Sequence, residues 1–149
     1  MSRSLHGSLA GAYSERDTNL ELDGNPEAMT ELSEILRIPG DQIVPLISWR
    51  RLRQEFHAAS ELRIFVDSLS RARISILREG NQFALSGGLE AAALLANSLA
   101  GLSRSPLIHQ GGVPAHLDLE PFDGDEMLEP TGFGMTIVLV EDPGVGPAL

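Results

Sequence analysis

His116, Asp118 and Glu120 stand at alternate positions in the C-terminal part of the sequence. Leu117 and Leu119 lie between them, which predicts a strand with the three polar side chains on one face. One histidine and two carboxylates could hold a metal ion or act as an acid and a base. The pattern is equally typical of the solvent-exposed face of a half-buried strand. No second histidine stands nearby in the sequence at the spacing of metal ligands. We therefore predict no metal, no cofactor and no catalytic role, and interpret this face as a binding surface.

The segment after this strand mixes acidic and apolar residues. Its first acidic side chains are Asp123, Asp125 and Glu126. A calcium loop of the EF-hand type starting at Asp123 needs a glutamate at its twelfth position, where Gly134 stands, so calcium is not predicted. Carboxylates attract a basic partner and apolar side chains such as Phe122 can anchor it. The alternative is that Phe122 and Phe133 belong to the core.

Motifs of enzymes and of nucleic-acid-binding proteins are missing from the sequence. It has no Gly-x-Ser-x-Gly elbow and no phosphate-binding glycine loop between a strand and a helix. Arg50, Arg51 and Arg53 form a basic cluster that could grip a phosphate, but no aromatic residues alternate with them. We interpret the three arginines as part of the solvent-exposed face of an amphipathic helix. We predict a protein that is neither an enzyme nor a nucleic-acid binder.

Composition points to an acidic protein of the cytoplasm. The 149 residues include 11 Lys plus Arg against 21 Asp plus Glu, a net charge of −10. Such a charge repels phosphate backbones and attracts basic partners. The alternative is that the charge only keeps a small protein soluble. Cysteine is absent, which excludes disulfides and thiolate metal sites. No apolar stretch is long enough for a signal peptide or a membrane span, so we expect a cytoplasmic protein without a membrane partner.

Local patterns predict the elements of the fold. Residues 1–18 are expected to be a disordered arm, 19–142 a single α+β domain and 143–149 a loose tail. Asn25 and Pro26 predict the start of a helix, with three glutamates toward solvent. The apolar residues of that helix are Ala28, Leu32, Ile35 and Leu36, and the glutamates are Glu27, Glu31 and Glu34.

Further elements follow along the chain. Trp49, Leu52 and Phe56 have helical spacing and predict a helix from Ser48 to Ala59. Alternation predicts strands at 62–66, 74–76 and 83–85, and Gly80-Asn81 predicts a hairpin turn. Residues 135–140 are apolar on both faces and partly β-branched, which predicts a strand in the middle of a sheet. The alanine- and leucine-rich stretch 89–102 predicts another helix. Together these elements indicate an α+β fold with a mostly antiparallel sheet of about five or six strands and two or three helices on one face.

Two stretches of the sequence match at an offset of 63 residues. The matched pairs are Leu22 with Leu85, Gly24 with Gly87, Glu27 with Glu90, Ala28 with Ala91, Leu32 with Leu95 and Leu36 with Leu99. A duplicated strand-turn-helix unit, with both helices on one sheet, explains the match. Chance also explains it, because many strand-to-helix junctions use glycine, an early acidic residue and spaced leucines.

The C-terminal half carries a recognisable order of pieces, from a hairpin ending in Leu85-Ser86-Gly87-Gly88 to His116-Leu117-Asp118-Leu119-Glu120-Pro121-Phe122 and a final apolar strand. From about Arg73 to Glu141 it resembles a family of bacterial polymorphic-toxin immunity proteins, the group numbered thirty-two. The resemblance implies a non-enzymatic protein that binds and blocks a cognate toxin, although the second histidine expected near Asp118 is absent here.

Two predictions about partners follow. The first is a toxin domain, basic in character, bound through one set of side chains. These are His116, Asp118, Glu120, Phe122, Asp123, Asp125 and Glu126. The second, from a different class, is a structural or regulatory module that self-associates as a homodimer through a sheet edge or the apolar segment.

Overall fold

The computed structural model describes residues 4–49, 52, 54–106, 115–119, 128 and 132–143. The elements within them are β1 (Leu9–Ser14), β2 (Asn19–Gly24), α1 (Pro26–Leu36), β3 (Gly40–Pro45), β4 (Phe56–Ala58), β5 (Glu61–Asp67), β6 (Ser75–Glu79), β7 (Gln82–Gly88), α2 (Leu89–Ser103), β8 (His116–Leu119) and β9 (Gly134–Leu139). In these ranges neither helix is long and apolar enough to cross a membrane.

The strands form two mixed sheets. The five-stranded sheet has the order β4-β1-β2-β9-β8, and the four-stranded sheet has the order β3-β5-β7-β6. The pairs β2–β9 and β5–β7 are parallel, whereas the other pairs are antiparallel. The α+β prediction is therefore confirmed, and five of these seven pairs are antiparallel, but the prediction of a single sheet is wrong because the strands divide between two sheets. Alternation tells which face of a strand is buried and does not tell which strand lies beside it.

The two helices pack against each other, and both sheets contribute to one core. Side chains of both helices and of β2, β5, β7 and β9 surround a void of only about 10 Å³. A void of that size is at the lower limit for a single water molecule. This part of the core is therefore filled by its own side chains.

The two halves of the chain follow the same path. The first half forms the hairpin β1–β2, then α1, then the antiparallel pair β3 and β5; the second forms β6–β7, then α2, then β8 and β9. Each half places its second strand pair in the sheet that the other half begins. Leu22 lies opposite Ile137 of β9, and its counterpart Leu85 lies opposite Ile64 of β5. The halves are thus related as two units that exchange their second pairs of strands.

The residues matched at an offset of 63 occupy equivalent places in these halves. Leu22 and Leu85 are buried on the central strands, while Gly24 and Gly87 stand at or near the strand ends before the helices. On the helices, the Ser33 hydroxyl donates a hydrogen bond of 3.0 Å to the carbonyl of Ala96, a residue 63 positions later. The pseudo-two-fold axis that relates the two halves therefore passes between α1 and α2. Both helices contact β5 of the four-stranded sheet, as expected, and each also contacts a strand of the five-stranded sheet.

Helix α1 begins as predicted but has one unexpected buried acid. The Asn25 side chain accepts a hydrogen bond of 3.0 Å from the Ala28 backbone N–H, which caps the helix. Glu31 was expected in solvent, yet it is buried. Its carboxylate accepts hydrogen bonds from the backbone N–H groups of His6 and Gly7, at 2.9 and 2.5 Å. The segment before β1 crosses the helix and covers this position.

The prediction of a disordered arm over residues 1–18 is wrong for the six residues of β1. Residues Leu9–Ser14 form β1, and every one of them is buried between neighbouring strands. Small residues such as Ala10 and Ala12 weaken the alternation signal, although they fit a strand covered on both faces. At the other end, Pro143 is the one residue of the predicted tail within the described part of the chain.

The predicted helix from Ser48 to Ala59 is also wrong. Its described residues include a turn at 54–55 and the strand Phe56–Ala58, which pairs with β1. Trp49 is buried and stacks on Phe56 with ring centroids 5.6 Å apart, but Leu52 is exposed. Helical spacing of three apolar residues was too weak a signal, because pairing with the edge of β1 and the aromatic contact favour an extended path.

Candidate interaction surfaces

Strand β8 presents the predicted polar residues at an edge of the five-stranded sheet. His116 and Asp118 point outward and are exposed, while Leu119 on the opposite side is buried. In register, His116 lies opposite Val138 and Asp118 opposite Thr136 of β9. The alternation that predicted this strand is confirmed for the four residues of β8.

A row of polar side chains continues from β8 across the sheet. His116 Nε2 lies 3.4 Å from Asp118 Oδ2, and the two side chains are 46% and 51% exposed. The Thr136 hydroxyl donates to Asp118 Oδ1 at 2.9 Å, and the Asn19 amide donates to the Thr136 hydroxyl at 3.2 Å. Asp118 is thus held in place while its carboxylate faces solvent. It can accept further hydrogen bonds from a cationic partner.

The other predicted partner-binding residues lie outside the described residues. These are Glu120, Phe122, Asp123, Asp125 and Glu126. The same holds for the basic cluster of Arg50, Arg51 and Arg53. Of the seven predicted side chains, the structure therefore brings together His116 and Asp118.

Two residues that follow this acidic segment in the sequence do have described positions. Leu128 is fully buried and forms an isolated bridge with Ile74. Phe133 packs on the core, with its ring centroid 5.2 Å from that of Phe83. The alternative that placed Phe133 in the core is therefore confirmed.

Sequence reasoning missed two buried acids on the same face as His116 and Asp118. Glu21 lies opposite Thr136, and Asp23 lies opposite Val138 on the parallel neighbour β9. Both side chains are buried. The alternation of 20–23 gave a signal, since leucines and acids take turns, but only the β2–β9 pairing places these acids beside β8. In the described part of the chain no three His, Asp or Glu side chains are grouped so as to hold a metal ion.

The inner part of this face is covered by the chain itself. Trp49 and Phe56 pack with Ala10 and Ala12, which lie on the outward side of β1. The connection between β3 and β5 supplies this cover. On this outward face, His116 and Asp118 of β8 are exposed to solvent.

The outward side of the four-stranded sheet, which we call the open face, is different. One register row across it contains Ile43, Arg63, Ala84 and Leu77. Phe65 and Leu77 are 43% and 56% exposed. A cleft of about 510 Å³ lies along this row. A second candidate surface thus combines apolar side chains with charges, and alternation in β5 had already indicated that Phe65 points away from the core.

Arg63 and Asp41 form an ion pair on the open face. Arg63 Nε donates to Asp41 Oδ1 at 2.9 Å, and a second guanidinium N–H donates to the other carboxylate oxygen. This hydrogen bonding is the main cause that holds the pKa of Asp41 below its usual value, and it raises the pKa of Arg63. The paired geometry fixes the two side chains and neutralises their charges locally.

Arg78, at the end of the same cleft, is also held by neighbours. Its guanidinium donates to the Tyr13 hydroxyl at 3.0 Å and to the Gly80 carbonyl at 2.9 Å. It lies 3.3 Å from the Glu15 carboxylate and stands over the Tyr13 ring, 5.0 Å from its centroid. These contacts join β1 of one sheet to β6 of the other, so Arg78 serves the junction between the sheets.

Comparison of this chain with protein-family models, with curated proteins and with solved structures gave no match. The resemblance of the C-terminal half to an immunity family stays a prediction.

Proposed function

We propose that this chain is a non-enzymatic immunity protein that binds a cognate bacterial toxin and occludes the toxin's active surface. The observation that supports this proposal best is the exposed His116–Asp118 pair on an edge strand of a chain with net charge −10. Edge carboxylates on such a chain steer a basic protein toward the site and accept its hydrogen bonds.

The proposed site starts at β8 and extends into the acidic segment that follows it. Its members would be His116, Asp118, Glu120, Phe122, Asp123, Asp125 and Glu126. Among the described strands β8 pairs with β9 alone, so its other edge could also offer backbone groups to a partner. Asp118 is pre-positioned by Thr136, which lowers the ordering cost of binding. In this proposal the protein acts in the cytoplasm of the cell that makes the toxin.

The proposal requires a toxin domain encoded beside this chain, and that domain is the partner used in the test. Co-expression should rescue growth of cells that express the toxin, and the two proteins should co-purify. Asp118→Asn should weaken the complex about fivefold, because an exposed ion pair is worth up to about 1 kcal/mol. Glu34→Gln on the exposed side of α1 removes the same charge elsewhere and is the matched control. Absence of both complex and rescue would refute the proposal.

A self-associating module is the second candidate, and one observation favours it. Strand β3 is at the edge of the four-stranded sheet and, among described strands, pairs only with β5. Such an edge can pair with a second copy of itself. Sedimentation velocity at several concentrations decides between the two functions. A stable homodimer without toxin rescue favours the module, whereas a monomer that rescues favours immunity.

A further inference from the structure

The open face has a counterpart that the chain itself covers. The pseudo-two-fold relation superimposes β1 on β6, so that Ala10 and Ala12 correspond to Ser75 and Leu77. Trp49 is part of the aromatic cover over the two alanines, whereas Leu77 is 56% exposed. The same position in the fold is therefore buried in one half and accessible in the other.

The open face carries more large apolar side chains than is usual for the solvent-exposed side of a sheet. Phe65 and Leu77 are large, and Ala84 lies on the strand between theirs. Contiguous exposed apolar groups with a polar rim are typical of interaction sites. The cleft of about 510 Å³ beside Leu77 has the size of clefts that hold ligand groups.

The charges at this face favour a cationic occupant. Arg63 is paired with Asp41, and Arg78 is held at the sheet junction. Glu61 and Glu79 lie on either side of Gln82 in register, so their backbones are about 10 Å apart across three strands. No ion pair of either carboxylate is found among the described residues. Glu61 also interacts electrostatically with Arg63. With Asp41 and Glu15 counted, four carboxylates stand beside the two guanidinium groups here, so the net charge around the cleft is negative. The spacing of Glu61 and Glu79 suits one cation between two carboxylates.

The area of the face limits the size of the occupant. Four strands of about six residues cover roughly 400 Å². Two copies of this chain meeting here would bury about 800 Å² in total, less than the ~1,200 Å² of a stable interface. A short segment of another protein needs no more than this area.

We propose that the open face is a second binding surface, which docks a short basic segment of another protein. An arginine or lysine of that segment lies between Glu61 and Glu79, and an apolar side chain of the segment packs on Leu77. This surface is separate from β8 and does not depend on the immunity proposal.

The test is an NMR titration of the ¹⁵N-labelled full chain. The binding probe is an end-blocked six-residue peptide of alternating leucine and arginine, and the control peptide has glutamate in place of arginine. Saturable shifts are expected for amides of β5, β6 and β7 with the arginine peptide only. The double variant E61Q/E79Q should weaken this binding about fivefold, because two exposed ion pairs are lost. Leu77→Ser should also weaken it.

The matched control is E27Q/E34Q, which removes two exposed charges from α1. It should leave the affinity within about twofold of the unmodified chain, since exposed charges beyond a Debye length are screened. Equal weakening by both double variants, shifts centred on β8, or no saturable shift would overturn the proposal. Shifts of the same amides with protein concentration alone would identify a second copy as the occupant and would also overturn it. None of these outcomes involves the toxin, so the immunity proposal is judged separately by co-purification and rescue.

Discussion

Replacing Glu31 with glutamine is expected to lower the free energy of unfolding by about 2 kcal/mol. Glu31 Oε2 accepts from the His6 N–H at 2.9 Å and Oε1 accepts from the Gly7 N–H at 2.5 Å. The side chain is buried, so water cannot replace a lost partner easily. The glutamine amide keeps one acceptor oxygen and turns an NH₂ group toward the other backbone donor.

The magnitude follows from this exchange. A hydrogen bond to a charged acceptor contributes about 1.5–3 kcal/mol, and a neutral one contributes about 1 kcal/mol. Glutamine therefore loses one bond outright and weakens the second, for a gross loss of about 2–5 kcal/mol. Removing a buried charge returns part of that loss, which leaves a net effect of about 2 kcal/mol.

Urea unfolding followed by far-ultraviolet circular dichroism measures the change, and Glu34→Gln is the matched control. Glu34 lies one turn away on the exposed side of α1, so its replacement should stay within about 0.5 kcal/mol of the unmodified protein. Hydrogen exchange of the His6 and Gly7 amides should accelerate in the Glu31 variant alone. Equal stability of the two variants together with unchanged exchange would refute the assigned hydrogen bonds.

Two further changes have defined outcomes. A Cβ added at Gly88 would lie 2.2 Å from the Ser70 carbonyl oxygen, so Gly88→Ala should lower stability by about 1–3 kcal/mol in urea unfolding. At Gly101 a Cβ has no neighbour within 4 Å, and Gly101→Ala in α2 should raise stability by about 0.5–1 kcal/mol. A lowered pKa means that Asp41 stabilises the fold above its unfolded value of 3.8. Asp41→Asn should therefore be less stable than the unmodified protein at pH 7, with the difference disappearing as the pH falls through the lowered value; an unchanged difference at low pH would contradict the Arg63 pairing.

Much of the local structure could be predicted from short patterns. Asn25 caps α1, Gly80-Asn81 joins β6 to β7, and the helix at 89–102 was found almost to its last residue. These features depend on contacts within a few residues, which the order of side chains alone controls. The outward direction of His116 and Asp118 was also predictable, because a strand alternates its faces.

Partnerships between distant segments could not be predicted in the same way. Glu31 was expected in water because its helical position is polar, yet backbone donors 24 and 25 residues earlier enclose it. The helical spacing of Trp49 and Phe56 misled the prediction, because a strand partner and a stacking contact compete with the helix. Neither the strand pairing nor the stacking contact can be predicted from the residues adjacent in sequence.

By itself, the sequence determined where α1 and α2 begin, which faces of β5 and β8 point to the core and that the chain is strongly acidic. Only the tertiary structure decided that the two halves exchange strand pairs, that Glu21 and Asp23 lie beside the β8 row, and that one of two equivalent sheet faces stays open. The physical reason is range: capping and alternation are set by adjacent residues, whereas strand pairing and cover depend on segments that meet only after folding.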